Sequence, residues 1–284
     1  MDKTDKFLIT SNVSKSRLSY PKIIGIILLG ILLLGVSILV LNEKLPVICP
    51  LTQDLINNDL SKRNYAGCSI VFATIDRVNL AETNLSNANL TGTYIVSSDL
   101  RKIDLSYSIL NGVTITNSFL GDANMTKILL AGAHLGGVTL TKSEISEGDL
   151  RGIDLTGGDL SYTDLSGADM RGADLRGANL TESNLSNTDL TGSNISGGHM
   201  LNSNLNNADL RDVNFSGANL SYTDLSGADM RGADLRGANL TESNLSNTNL
   251  TGVDFSGANL SNVNLNNTDL TGAILYCLNH EMCK

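Results

Sequence analysis

Starting at Ile70, every fifth residue through Leu275 is Leu, Ile, Met or Phe, forty-two consecutive positions without an exception. Neither regular element can use that spacing, because an α-helix returns to one face after about 3.6 residues and a strand after about 2.0. Two positions before each large residue stands a small one, such as Ala73, Ala88, Ala133, Ala168, Ala178, Ala228 or Ala273, with Ile only at Ile103, Ile128 and Ile153. The residue between them is polar, usually Asn or Asp, as at Asn79, Asp104, Asp164 and Asn219. Small inward, polar outward and large inward make a short extended piece. The remaining two residues must then turn the chain through about a quarter circle.

Glycine marks the corners. Eighteen of the 27 Gly fall at the second residue after the large one, including Gly92, Gly112, Gly152, Gly172, Gly232 and Gly272. That is where a type II turn requires positive φ, which Gly adopts at little steric cost. Four corners close a square coil of twenty residues. The segment from Leu160 to Thr188 recurs unchanged from Leu220 to Thr248, an offset of 60 residues or three whole coils, which preserves the register of all four faces. At ~4.8 Å per coil, about ten coils make a rod roughly 50 Å long. Its narrow bore accounts for the scarcity of large rings: aromatics are 4% of the chain and Trp is absent. No Pro occurs after Pro50, as a backbone whose N–H groups bond the neighbouring coil requires.

Ala168-Asp169-Met170-Arg171-Gly172, Ala173-Asp174-Leu175-Arg176-Gly177 and Ala178-Asn179-Leu180-Thr181-Glu182 resemble the A(D/N)LXX motif of the pentapeptide-repeat family. The resemblance covers residues 70–275. It implies an all-β, right-handed quadrilateral β-helix. Family members include soluble DNA mimics that bind topoisomerase and confer quinolone resistance, and many others, some membrane-attached, have no assigned activity.

Residues 23–41 read IIGIILLGILLLGVSILVL, nineteen positions without a charge. At ~1.5 Å per residue this run reaches about 28 Å, close to the hydrocarbon thickness of a bilayer. A signal peptide would want a shorter apolar region and small residues at its cleavage site. No Ala precedes Ala66, and Ile48 occupies the place where a lipoprotein site before Cys49 would need a small residue. The run therefore reads as an uncleaved transmembrane helix. Lys3, Lys6, Lys15, Arg17 and Lys22 precede it and Lys44 alone follows closely, which places the N terminus in the cytoplasm and the repeats outside it. The expected organisation is a cytoplasmic tail over 1–22, the span over 23–41, a linker and N-terminal cap over 42–69, the β-helix over 70–275, and a C-terminal cap over 276–284.

Four cysteines permit three pairings. Cys49 and Cys68 flank the start of the rod, while Cys277 and Cys283 lie beyond its last coil, so locality favours Cys49–Cys68 and Cys277–Cys283. Such bonds suit an oxidising compartment, and stacked coils need capped ends. Cys68 also fits a small inward position. Cys277, His280 and Cys283 are an alternative metal set, but they lack a fourth ligand.

The formal net charge is −9, a balance that disfavours direct binding to a nucleic-acid backbone. Residues twenty apart stack, so Asp149, Asp169, Asp189, Asp209, Asp229 and Asp269 form one acidic column. Arg151, Arg171, Arg211 and Arg231 follow four of these at two residues, which reads as a self-neutralising ladder rather than a phosphate mimic. No D-x-[DN]-x-[DN]-G calcium loop occurs. Ile109 and Leu129 stand where Asn or Asp normally points outward, with Phe119, His134 and Tyr107 in the same stretch, a candidate contact surface. The three His, His134, His199 and His280, belong to no catalytic motif, and flat solenoid faces offer no pocket that would exclude water. The N-x-[ST] sequons, such as Asn84-Leu85-Ser86, arise from the repeat itself and do not by themselves indicate glycosylation.

These features lead to a non-enzymatic, cofactor-free scaffold. It is held at the membrane through residues 23–41 and displays a stiff rod to an unidentified protein partner outside the cytoplasm. The alternative is a cytoplasmic acidic mimic that occupies a topoisomerase-like or other nucleic-acid-binding protein. The rod's end could also pair with a second copy, because a terminal coil exposes backbone, unless the tail LYCLNHEMCK covers it.

Overall fold

The computed structural model describes Cys49, Leu51 and residues 54–283. The tail over 1–22 and the apolar run over 23–41 lie outside the described residues. Among the described residues no helix is long and apolar enough to cross a membrane.

One pentapeptide shows why the chain coils. In Asn84-Leu85-Ser86-Asn87-Ala88, all five backbone N–H groups find acceptors. Those of Asn84 and Leu85 donate to Arg63 O at 2.9 Å and Asp104 O at 2.7 Å, in the coils below and above. That of Ser86 donates to the Asn84 side chain at 2.9 Å. Asn87 N–H reaches Ser106 O at 2.9 Å, and Ala88 N–H closes the turn on Leu85 O at 3.1 Å. The outward Asn or Asp is thus a structural acceptor for the corner amide, which explains why those residues recur there.

Repeated four times per turn, this unit gives parallel ladders with a register of twenty residues from Asp59↔Asn79 to Asp254↔Ile274, and the final bridge, Asn259↔Leu278, is one residue shorter. The ladder contacts define four faces. Face 1 carries Thr114, His134 and Asp154; face 2, Asp99, Phe119 and Thr139; face 3, Asp104, Asn124 and Glu144; face 4, Asn89, Ile109, Leu129 and Asp149. Only face 1 begins with continuous strands: β1 (Leu55–Ile56), β2 (Thr74–Asp76), β3 (Tyr94–Val96) and β4 (Thr114–Thr116), paired in parallel in that order. There the corners are opened by buried serines. Val78 and Ser98 N–H donate to Ser98 Oγ and Ser118 Oγ at 3.1 and 3.0 Å, and those hydroxyls donate to Val96 O and Thr116 O at 2.8 and 2.9 Å.

The ladder starts earlier than residue 70. Leu55 pairs with Ile75, and Asp59 and Asn64 bridge Asn79 and Asn84, so most of what reads as a linker over 42–69 is a coil in register. Leu55, Leu60 and Tyr65 hold the large inward positions, and Tyr65, with its polar hydroxyl, breaks the run of Leu, Ile, Met and Phe by which the first repeats would be recognised.

The core is a single dry column. Leu160, Leu180 and Met200 stack on one face without exposure, and Phe215 and Phe255 are the largest fully buried side chains. Buried hydroxyls at small positions return their hydrogen to the main chain, as Thr93 Oγ1 does to Ile70 O at 2.6 Å and Ser108 Oγ to Leu85 O at 2.7 Å. Among the described residues, Ser193 and Ser243 Oγ are the buried side-chain polar atoms left without a partner. An unpaired buried hydroxyl costs about 1–3 kcal/mol. Ser193→Ala is therefore expected to raise stability by roughly 1 kcal/mol, whereas Ser108→Ala lowers it by a similar amount. Urea unfolding midpoints of the two variants check the opposite signs.

Both ends are tied. Cys49 is joined to Cys68 with Cα atoms 5.0 Å apart, and Cys277 to Cys283 at 4.9 Å. No cysteine among the described residues is free, and none of them forms a cluster that could hold a metal ion. At the C-terminal end, Leu260 N–H donates to Leu278 O at 3.0 Å, and Met282 and Cys283 pack against the core. The tail thereby covers part of the last coil.

Candidate interaction surface

The outward columns divide the rod into two unlike halves. From Asp149 onward, face 4 is a ladder of fork-shaped ion pairs. Arg171 donates through Nε and Nη2 to the two oxygens of Asp169 at 2.8 and 2.6 Å, and Arg231 makes the same bidentate pair with Asp229 at 2.9 and 2.6 Å. Arg171 Nε also lies 3.5 Å from Asp189 in the next coil, and Arg151 Nε 3.8 Å from Asp169. Face 1 repeats the arrangement at Asp174–Arg176 and Asp234–Arg236. The Arg forks satisfy the Asp geometrically because i and i+2 lie on either side of one large inward residue.

These pairs favour the charged form of four carboxyls in the acidic column. The Arg151 side chain, hydrogen-bonded to Asp149, holds its carboxyl below the usual range against the opposing effect of partial burial. Asp169, Asp209 and Asp229 are lowered in the same way by Arg171, Arg211 and Arg231. Asp269 has no Arg and is lowered by the hydrogen bond from Thr271. A carboxyl whose folded pKa lies below its unfolded value contributes stability above the unfolded value and loses it as pH falls through the folded one. The melting temperature is expected to stay flat from about pH 8 to 5 and to fall below about pH 4. Calorimetry across that range checks it. A rise on acidification would show that relief of net negative charge outweighs the pairs.

Below Asp149 face 4 loses its charge, and face 1 is uncharged above Asp54 and the Asp76–Arg77 pair of its first two coils. Between Asn89 and Gly137 their outward positions carry no Asp, Glu, Lys or Arg; they hold Asn89, Thr91, Tyr94, Ile109, Asn111, Leu129, Ala131 and His134 among others. One coil lower, Val71 and Phe72 sit at the corner joining the two faces. Phe72 is 77% and Tyr94 57% exposed, far more than an apolar body would keep if packing had placed it. The Phe72 ring lies over Gly92, where a Cβ would fall 2.5 Å from Phe72 Cε1, so the missing side chain makes the room.

The apolar replacements also forgo a hydrogen bond. Leu129 cannot accept from Ala131 N–H as Asn or Asp would; Asn111 of the preceding coil accepts it instead, at 3.0 Å. The coil thus needs a substitute acceptor to keep Leu129 outward. Folding alone does not call for Leu there.

Of the four residues in the candidate contact surface, the structure gathers three. Ile109 and Leu129 are ladder neighbours on face 4, and His134 stands one corner away on face 1. Phe119 is two corners from Ile109, on the opposite face of the square coil, and does not join them. It lines a separate shallow groove of about 260 Å³ with Ser97, Ser98, Asp99 and Arg101. Tyr107 sits at the corner between faces 3 and 4, 5.9 Å from Lys127 Nζ in a cation–π contact. Val71, Phe72 and Tyr94 extend the patch, and the five-residue spacing that places Tyr94 one face beyond Asn89 was the signal for it.

A pentapeptide-repeat profile matches in 8 copies over residues 73–112, 120–157, 159–197, 200–237 and 238–275. No curated protein matches the chain. Among solved structures, HetL from the cyanobacterium Nostoc sp. strain PCC 7120, a pentapeptide repeat protein involved in heterocyst differentiation regulation, is 26% identical. It aligns over 81% of this chain and 92% of its own, with a TM-score of 0.54. Rfr23 from the cyanobacterium Cyanothece 51142 is 41% identical over 30% of this chain and 58% of its own length, with a TM-score of 0.30. QnrB1, a plasmid-mediated fluoroquinolone resistance protein, is 18% identical over 63% of this chain and 90% of its own, with a TM-score of 0.39. The HetL likeness spans nearly all of that protein and agrees with the twenty-residue ladder. With repeats matched over more than half of its length, the chain belongs to the pentapeptide-repeat family.

Proposed function

We propose that the protein is a binding scaffold: a stiff rod that presents the uncharged panel of its first coils, held at a membrane by residues 23–41 with the repeats outside the cytoplasm. The observation that carries this reading is the contrast along faces 4 and 1. The same columns bear bidentate Asp–Arg pairs from Asp149 on, yet half-buried Ile109 and exposed Leu129 and Tyr94 before it. A continuous dry core supplies rigidity, so the panel is preorganised and loses little freedom on binding. The charge-free run of residues 23–41 and the preceding lysines support the anchor and its orientation.

The acidic-mimic reading has one observation in its favour, the 29 acidic against 20 basic residues of the chain. Against it stand the Arg forks at Asp149, Asp169, Asp209 and Asp229, which interrupt the negative potential in four coils of face 4.

Protease accessibility of a C-terminal tag in intact cells tests the placement; protection of the tag would overturn it. Crosslinking in native membranes tests the panel. Ile109→Asp with Leu129→Asp is expected to abolish the adducts, with lipid or with protein, that the wild-type panel forms, and an unchanged pattern would refute the panel's role.

A further inference from the structure

The panel's occupant is constrained by its size, its charge and the chain that leads to it. Its three to four coils span roughly 17 Å at ~4.8 Å each, and each face is about 10 Å wide at ~3.3 Å per residue. Two faces therefore offer on the order of 350 Å², less than half of the ~800 Å² that one partner gives to a standard protein interface. Such a patch is too small to capture a free protein and large enough for a surface already held beside it.

The tether provides that surface. The charge-free run ends at Leu41, and Cys49 is bonded to Cys68. Cys68 immediately precedes Ser69, Val71 and Phe72, where the panel begins. The intervening residues 42–48 reach at most about 28 Å. The disulfide thus fixes the leash to face 4 of the first described coils rather than to another side of the rod. Tyr and Phe suit the polar–apolar boundary of a bilayer, where an aromatic body meets lipid and Tyr keeps its hydroxyl wet. The charged column of face 4 begins only at Asp149, beyond the reach of this contact, and the Asp76–Arg77 pair of face 1 lies at its side toward face 2, away from the Val71–Phe72 corner.

We propose that the edge formed by Val71, Phe72, Tyr94, Ile109 and Leu129 docks into the headgroup region of the lipid bilayer, so that the rod's first coils lie against the membrane. This rests on the anchored reading, and the test separates the two.

The chain contains no Trp. Tyr94→Trp in the full-length protein therefore gives a lone indole at the panel, and Tyr222→Trp gives one at an exposed corner of a distant coil. Each variant is reconstituted into phosphatidylcholine vesicles with plain or brominated acyl chains and recovered by flotation. The expected result is that Tyr94→Trp loses most of its emission in brominated vesicles while Tyr222→Trp keeps it. Adding Ile109→Asp and Leu129→Asp should restore the Tyr94→Trp emission without preventing flotation. If the chain floats but Tyr94→Trp is unquenched and open to acrylamide, lipid docking is wrong and the anchor stands. Unquenched emission shielded from acrylamide would assign the panel to protein contact, which also overturns the proposal. Failure to float would remove the anchor and the docking together.

Discussion

Leu180→Asp is expected to split the rod. Leu180 is fully buried between Leu160 below and Met200 above, and its N–H donates to His199 O at 2.6 Å in the next coil. A carboxylate there is surrounded by apolar side chains, and among the described residues no buried cation faces it. It must either stay charged in a dry column or take up a proton and remain short of partners. The penalty should exceed about 4 kcal/mol, a large part of the 5–15 kcal/mol that holds a typical domain together. Because each coil touches only its neighbours, the loss falls on two interfaces and the halves on either side need not unfold together. Limited proteolysis should cut between residues 170 and 190, and circular dichroism should show two transitions in place of one. Leu180→Met is the control. Met already fills this position at Met125, Met170, Met200 and Met230, so its cost should stay below about 1.5 kcal/mol. A single unshifted transition for Leu180→Asp would mean that the column is not dry.

Much of this architecture was legible because it depends on period alone. The inward positions, the four corners and the stacking of residues twenty apart follow from spacing, and so do the Asp–Arg pairs, since i and i+2 must flank one inward side chain. What spacing could not reveal depends on individual atoms. The open corners of face 1 exist because Ser98 and Ser118 hydroxyls take over amides that a closed turn would bind to Ile75 and Ile95. The start of the ladder at Leu55 was hidden by a single residue, Tyr65. Phe119 was grouped with Ile109 by closeness in sequence, although ten residues is half a coil and places them on opposite faces. The uncharged panel needed both kinds of information: the register to assemble its residues, and exposure to show that Phe72 and Tyr94 are not core. Glycine proved sufficient for a corner without being required, because Glu82, Tyr107, Lys142 and Tyr222 take the same left-handed φ as Gly92.

That last point predicts the second large effect, at a residue whose side chain contributes nothing visible. Glu182 is exposed at a corner with φ of 57°, and its N–H donates to Leu201 O in the next coil at 2.9 Å. Proline at this position fails on both counts. Its ring fixes φ near −65°, and it has no N–H to give. Since the corner amide is one of the regular bonds between coils, Glu182→Pro should cost about 3 kcal/mol or more and open the stack beside Leu180. Glycine reverses the sign. A left-handed conformation costs an ordinary L-residue roughly 1–2 kcal/mol, partly offset by the greater freedom glycine loses on folding. Glu182→Gly should therefore stabilise the rod by up to about 1 kcal/mol while leaving the hydrogen bond to Leu201 in place. Glu182→Ala keeps the strain and should change little. Denaturant melts of the three variants distinguish a backbone effect from a charge effect: loss of the Glu charge is common to all, so only backbone geometry can order them glycine, alanine, proline. Equal shifts in all three would place the stability of the corner in the side chain and remove the strained-corner account.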